Sequence, residues 1–282
     1  MIEQLVLNSV VLGSTIALMA VGFTLIFGIL RIVNFWHGEA YMFGAAIVYF
    51  VSVRLGISYI GALIAAVVAV GLMGWVSYGL VFRRFHGNLL GALVVGIAMS
   101  LAFQNSMWYA LGARPVAIPS VITGTVTLFG TTVSSERLLV SGVSILVILT
   151  LAWFIKFTKL GQAMRAVQQD SEAARTQGIS VRRIAGLTFG IATGLAALAG
   201  GLVAPLFHVA PPMGAEPLLI TFIVVILGGL GSVMGALVVS FIIGFQQCFM
   251  AAYWGSEYVI TASFALAMLV LIFRPTGLMG HE

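Results

Sequence analysis

Few side chains in this 282-residue sequence have the types and spacing that catalysis requires. Neither of the two lysines, Lys156 and Lys159, closes a Gly-x-x-x-x-Gly-Lys-Ser/Thr phosphate loop. The best candidate nucleophile, Ser232, lies in Gly-Ser-Val-Met-Gly rather than in the Gly-x-Ser-x-Gly elbow of hydrolases. All four histidines fall in connections between apolar runs: His37, His86, His208 and His281. The sequence therefore predicts no catalytic residues, no metal ligands and no bound cofactor.

The first polar segment with informative spacing is Arg31-Ile-Val-Asn-Phe-Trp-His-Gly-Glu39, which interrupts apolar sequence. The apolar run that follows has about 14 residues, which is short for an untilted membrane span. We therefore expect a helix break here, with Asn34 capping the next helix through its side-chain oxygen. His37 and Glu39 either pair and line a gated vestibule or face headgroup water in a loop, and we favour the loop.

A second unusual segment is Ile226-Leu-Gly-Gly-Leu-Gly-Ser-Val-Met-Gly235. Each of its four glycines lowers helix propensity by about 1 kcal/mol relative to alanine, which indicates another break or a very close helix contact. Thr24-Leu-Ile-Phe-Gly-Ile-Leu30 and Thr221-Phe-Ile-Val-Val-Ile-Leu227 precede the two segments with a similar pattern. This similarity hints at an internal repeat, and interrupted helices at matching positions often frame a transport path.

The stretch from Gly161 to Ser180 reads as two short amphipathic helices. Asp170 or Ser171 can cap the second helix, Glu172 lies favourably in its first turn, and Gly178 can close it in a left-handed conformation. Helices this short are marginal alone, so we expect the pair to dock against another surface. An ordinary solvated connection between two spans is the alternative.

The composition places these segments in an integral membrane protein. Hydrophobic residues make up 61% of the chain and charged residues 7%, against about 45–50% and about 25% in a soluble domain. One cysteine and a net charge of +5 exclude a disulfide scaffold and a nucleic-acid-binding domain. Apolar runs near 6–30, 57–82, 89–112, 138–155, 184–204, 233–254 and 257–273, with shorter runs near 40–53 and 218–230, predict an all-α bundle of about eight or nine spans, two of them broken or short.

The distribution of lysine and arginine predicts the orientation. If every run crosses once, ten of these residues lie on the side of 158–183 and three on the side of the loop 113–137, which makes the first side cytoplasmic and the N-terminus external. A re-entrant short run would move the N-terminus to the other side. In the external loop, Val121-Ile-Thr-Gly-Thr-Val-Thr is expected to form a small hairpin that bridges two helices or touches a partner.

Four segments in order resemble the branched-chain amino acid permeases of the LivH type. They are Val33-Asn-Phe-Trp-His-Gly-Glu39, the loop from Gly161 to Ile179, Gly-Gly-Leu-Gly-Ser at 228–232 and Arg274-Pro-Thr-Gly-Leu278. Within the loop, Glu172-Ala-Ala followed by Gly178 resembles the element of ABC importer permeases that seats in a groove of the ATPase subunit. Trp36 and Met234 depart from the family, which usually has a small residue and proline there.

The resemblance implies one transmembrane permease domain over 1–282, in a bacterial inner membrane. It implies coupling to the ATPase through Arg165, Asp170, Glu172, Ala173, Ala174 and Gly178. It implies a solute pathway beside Asn34, Trp36, His37, Glu39, Gly228, Gly229, Gly231 and Ser232. The implied partners are a LivM-like second permease, two ATP-binding subunits that hold the ATP, a periplasmic solute-binding protein and membrane lipid, with no nucleic acid.

Other functions remain open on the sequence alone. The solute is expected to be a branched-chain or hydrophobic amino acid, but related permeases move urea, short amides or aromatic acids. An ion-coupled secondary carrier is the main alternative, although only the edge residues Glu39 and Glu257 offer carboxylates near the membrane. An intramembrane hydrolase would require a re-entrant segment to bring a serine and a histidine together.

Overall fold

The computed structural model describes residues 2–85, 87–112, 114–128 and 130–280, and these form one helical bundle with a small hairpin. In this described part of the chain, eight helical segments are long and apolar enough to span a membrane, and α2 with its π-helical extension Phe50–Arg54 is a further, shorter segment. The predicted all-α bundle of about eight or nine spans is thus confirmed. The elements are α1 (Ile2–Leu30), α2 (His37–Tyr49), α3 (Tyr59–Leu80), α4 (Leu89–Leu111), β1 (Thr125–Leu128), β2 (Thr131–Ser134), α5 (Ser135–Phe157), α6 (Lys159–Gln169), α7 (Ser171–Thr176), α8 (Val181–Val203), α9 (Ala215–Gly228), α10 (Val233–Tyr253) and α11 (Val259–Phe273).

Helices α1 and α8 form the centre of the bundle. In the most apolar 18-residue stretch of each, 72% and 78% of the residues are buried, against 11% in the corresponding stretches of α4 and of α11. Small residues permit this close packing, as expected where no hydrophobic effect drives apolar helices together in lipid. A Cβ atom added to Gly44 of α2 would lie 2.1 Å from the Ala197 carbonyl oxygen of α8, and one on Gly200 would lie 1.9 Å from the Tyr41 carbonyl oxygen. The backbones of α2 and α8 therefore touch.

The close contact between α2 and α8 leads to a prediction about the stability of the bundle. We expect Gly44→Ala to force α2 away from α8 and to lower the free energy of unfolding by about 3 kcal/mol, as overpacking of a filled interface does. Gly142→Ala is the matched control, since a Cβ there meets no atom within 4 Å and alanine favours the helix. Thermal unfolding in detergent should show a lower midpoint for the first variant alone, and equal midpoints would contradict the close contact.

The two ends of the bundle are distinguished by the β-hairpin and by α6–α7. Thr131 of β2 donates a hydrogen bond to Glu3 in the first turn of α1, so the start of α1 lies at the hairpin end. Helix α5 begins at the hairpin end and its 23 residues span the bundle. Helices α6 and α7 follow α5 and therefore lie at the opposite end, which we call the coupling end. Each of the ten basic residues of the predicted cytoplasmic side lies toward the coupling end of its helix or in a connection there. The predicted hairpin is also present, with its first strand at 125–128 rather than throughout 121–127.

Helix α2 begins near the middle of the bundle instead of at its end. The Nε2–H of His37 donates to the Met19 carbonyl oxygen at 3.2 Å, a position about 16 Å before the end of α1 at 1.5 Å per residue. Residues 31–36 therefore return from the coupling end to the centre, and α2 continues to the hairpin end. The break and α2 together therefore pass once from the coupling end to the hairpin end.

Helix α9 also begins near the centre but runs the other way. A Cβ atom on Gly214, directly before α9, would lie 2.0 Å from the Gly38 carbonyl oxygen in the first turn of α2. From this contact the 14 residues of α9 reach the coupling end, about 21 Å away. Two short helices thus start beside each other at the centre of the bundle and end at opposite faces.

Candidate coupling surface and helix breaks

The helical pair predicted between Gly161 and Ser180 is present as α6 and α7, and a single residue joins them. The Asp170 carboxylate accepts hydrogen bonds from the backbone N–H groups of Glu172 at 2.8 Å and Ala173 at 3.0 Å. The Asp170 N–H meanwhile donates to the Ala166 carbonyl at the end of α6. Asp170 thus closes one helix and caps the next, which fixes the angle between them.

Gly178 ends α7 in the predicted left-handed conformation, with φ at +80°. Its N–H donates to the Arg175 carbonyl, and the N–H of Ile179 donates to the Ala174 carbonyl. These two bonds form a Schellman motif, in which a residue with positive φ allows the last carbonyls of a helix to be satisfied. A Cβ on Gly178 would meet no neighbour within 4 Å, so the position favours glycine because of backbone conformation and not because of space.

The Asp170 cap on α7 is expected to contribute measurably to the stability of the helix pair. We expect Asp170→Ala to remove two hydrogen bonds and destabilise the helix pair by about 1 kcal/mol, as loss of an N-cap usually does. Amide hydrogen exchange at residues 171–176 should then accelerate by about fivefold, which is the factor that corresponds to 1 kcal/mol. Asp170→Ser retains a capping oxygen and should keep most of the protection; equal exchange in the alanine and serine variants would contradict the cap.

The six residues predicted to couple to the ATPase do not all face the same way. Asp170, Glu172, Ala173 and Gly178 are exposed at the coupling end. Ala174 is buried against α8, and Arg165 donates to the Ile155 carbonyl near the end of α5. The first four therefore form an exposed surface, whereas the other two attach α6 and α7 to the bundle.

The first break lies where the sequence predicts it, but two expectations about its side chains are wrong. Asn34 does not cap α2: its side chain is fully buried, and among the described residues neither of its polar atoms has a hydrogen-bond partner. His37 and Glu39 do not face headgroup water, since their exposed fractions are 0% and 4%. Because α2 starts at the centre of the bundle, the residues of the predicted loop are carried into the interior.

His37 and Glu39 also do not pair with each other. His37 donates to Met19, as described above, and packs edge to face on Phe23. Glu39 accepts a hydrogen bond of 2.8 Å from the hydroxyl of Ser100 in α4. The vestibule interpretation required an ion pair, and the structure instead uses the two side chains to attach the start of α2 to different helices.

Trp36 occupies the inside of the first break. It is fully buried and lies parallel to Phe189 of α8 with ring centroids 6.2 Å apart, while Phe103 of α4 lies 5.4 Å away. The indole therefore fills space between the two helices. It thereby packs the centre of the bundle beside the start of α2.

The second break lies at the coupling end and is closed by the last part of the chain. Gly229 and Gly231 have φ of +97° and +89°. The N–H groups of Leu278 and Met279 donate to the Leu227 and Gly228 carbonyls at 2.7 and 3.2 Å, and the Ser232 hydroxyl caps α10. The segment after Arg274 thus supplies hydrogen bonds to the carbonyl end of α9, which gives that sequence motif a structural role.

One residue that sequence reasoning missed, Gln168, connects the coupling helices to the breaks. Its side-chain NH₂ donates to the Gly231 carbonyl at 3.0 Å and lies 3.0 Å from the Cβ position on Gly28, near the end of α1. A pocket of about 570 Å³ extends beside it, bounded by Arg31 at the first break and by Asp170 and Glu172. No local signal marks Gln168, because its partner lies 63 residues away.

The possible internal repeat is supported at the helix ends but not beyond them. Thr24 and Thr221 are both buried, and within the described ranges neither hydroxyl has a partner. Both segments run to the coupling end and stop at a break. However, α2 starts at the centre, whereas α10 starts at the coupling end beside Gly228. The similarity therefore covers the segments before the breaks only.

The fold and the site define a multi-pass membrane protein whose broken helices contact an exposed helical pair at one end. The chain belongs to the family described as "Branched-chain amino acid transport system / permease component", which matches residues 5–273.

Its similarity to individual relatives covers nearly the whole chain. It is 34% identical to the high-affinity branched-chain amino acid transport system permease protein LivH of Salmonella typhimurium, over 99% of this chain and 95% of that protein. It is 32% identical to BraD of Pseudomonas aeruginosa over 99% and 96%. LivM of Escherichia coli is 32% identical over 43% of this chain and 28% of its own length. No solved structure has a significant match.

Proposed function

We propose that this chain is the transmembrane permease subunit of an ABC importer in a bacterial inner membrane, and that it moves branched-chain or similar aliphatic amino acids. The names of the relatives, the full-length similarity and the eight apolar spans support this proposal. The observation that carries it is the hydrogen bond from Gln168 to Gly231, because it links an exposed surface for a partner to a break in the bundle.

In this proposal the energy comes from two separate ATPase subunits. They hold the exposed surface formed by Asp170, Glu172, Ala173 and Gly178, and ATP binding draws the coupling helices together. Asp170 and the Schellman motif keep α6 and α7 in a fixed arrangement, so that movement of the surface is transmitted as a rigid shift. Gln168 passes the shift to the second break and the end of α1, and the bundle changes between inward-open and outward-open states.

The other components follow from the same mechanism. A LivM-like chain forms the second half of the transmembrane unit, and a periplasmic binding protein delivers the solute. This chain requires no bound cofactor and contributes no ATP-hydrolysing residues. His37, Glu39 and Trp36 hold the centre of the bundle, where the starts of α2 and α9 meet and a solute must pass between the two faces.

The decisive test is transport by the complete complex. The chain is coexpressed with the candidate ATPase, second-permease and binding-protein subunits, purified and placed in vesicles. We expect the ATPase to copurify and radiolabelled leucine to accumulate only with ATP and the binding protein. Uptake driven by an ion gradient in vesicles that hold this chain alone would establish a secondary carrier instead. Competition by urea, short amides and aromatic acids determines whether one of these solutes replaces leucine.

A further inference from the structure

A cavity of about 530 Å³ opens in the hairpin half of the bundle, between α1, the α8–α9 connection, α9 and α10. One face of α1 forms a wall of it over about 16 Å. The lining residues recur at the spacing of a single helix face: Asn8, Val11, Leu12, Thr15, Ile16 and Met19. The volume is within the range of small-molecule sites, and the cavity reaches the centre of the bundle at Met19, whose carbonyl binds His37.

The cavity is mostly aliphatic but carries charges of opposite sign on different elements. Arg137, in the first turn of α5 at the hairpin end, is exposed and donates to the Asn8 side chain at 3.1 Å. Glu216, in the first turn of α9, lines it nearer the centre and is also exposed. A guanidinium group binds a carboxylate strongly, and a carboxylate binds an ammonium group.

Two further side chains indicate that the wall is built for a polar occupant. Thr221 and Gln247 line the cavity and are 1% and 5% exposed. Among the described residues, the Thr221 hydroxyl and the Gln247 NH₂ group have no hydrogen-bond partner. Burying such groups unpaired costs about 1–3 kcal/mol each, and a persistent exception of this kind requires a reason such as a ligand.

We propose that this cavity is a binding station for a zwitterionic α-amino acid with an aliphatic side chain on its way to the centre of the bundle. Arg137 binds the carboxylate, Glu216 binds the ammonium group, and the side chain lies against the α1 face that contains Val11, Leu12 and Ile16. Thr221 and Gln247 provide hydrogen bonds that the solute completes. The inference rests on the proposed function and adds to it the place and the residues of solute recognition.

Cys248, the only cysteine of the chain, lines the cavity and serves as a reporter. In the purified complete transporter, alkylation of Cys248 by a small maleimide is followed from the mass of this chain. We expect leucine to slow alkylation at least fivefold. Leucinamide, which lacks the carboxylate, and 4-methylpentanoate, which lacks the ammonium group, should slow it less than twofold. No protection by leucine, or equal protection by all three compounds, would overturn the proposal.

Charge-neutral variants test the two recognition residues. Arg137→Gln and Glu216→Gln should each lower protection by leucine at least fivefold. Arg54→Gln and Glu257→Gln remove exposed charges at the hairpin end but outside the cavity lining, and they should retain full protection. Loss of protection in all four variants, or in none, would contradict specific recognition.

Transport measured on the same samples separates this inference from the proposed function. If the wild-type complex imports leucine with ATP while leucine leaves alkylation unchanged, the binding station is refuted and the proposed function stands. If the wild-type complex imports no amino acid, the proposed function itself fails.

Discussion

Gly178→Val is expected to reduce solute uptake to less than about a tenth of the wild-type rate. The φ of +80° at Gly178 costs an L-residue about 1–2 kcal/mol, and a β-branched side chain is least suited to this region. The substitution also weakens the two Schellman bonds that hold the end of α7. A helix of six residues has little stability of its own, so the exposed surface should lose its shape.

The measurement compares uptake, solute-stimulated ATPase activity and the amount of chain in the membrane. The matched control is Gly56→Val, because Gly56 has φ of +70° and equally open space but lies beyond α2 at the hairpin end. We expect both variants to insert normally and only Gly178→Val to lose transport and stimulation. Equal uptake by the two variants would refute the coupling role of Gly178.

The second large effect is expected at Gln168. Gln168→Glu preserves the size and shape of the side chain but replaces the donor that faces the Gly231 carbonyl with an acceptor. Because a carboxylate cannot donate to a carbonyl, the 3.0 Å contact changes from attraction to repulsion. At about 1–2 kcal/mol per lost and opposed hydrogen bond, we expect leucine uptake to fall about tenfold while ATP hydrolysis by the complex continues.

Gln169→Glu supplies the control for charge and position. Gln169 is the next residue, is also exposed and lines the same 570 Å³ pocket, but its side chain takes no part in the contact with Gly231. Uptake should remain within twofold of the wild type in that variant. A Gln168→Glu transporter that imports leucine normally would show that the contact with the second break does not transmit movement.

Local signals were sufficient to predict most of the helices, including the pair α6 and α7. Continuous apolar runs set the spans, the glycines at 228–231 marked the second break, and Asp170 and Gly178 each carried a recognisable capping signal. These features depend on residues within a few positions of one another, so pattern and propensity describe them well. The resemblance to a known family also predicted the membership that the comparisons confirmed.

The placement of the first break was not predictable in the same way. Burial of His37 and Glu39 follows from the depth at which α2 begins, and that depth is set by contacts with Met19 and Ser100 on other helices. A polar sequence between two apolar runs has the same appearance in a surface loop and in a buried break. The role of Gln168 was missed for a related reason, since a long-range hydrogen bond leaves no periodic pattern.

The hydrogen bonds from Leu278 and Met279 to the end of α9 have a consequence for biosynthesis. The ribosome makes α9 about fifty residues before these donors, and at helix insertion the Leu227 and Gly228 carbonyls still depend on water or on the translocation machinery. The second break therefore reaches its native geometry only after α10 and α11 have been inserted.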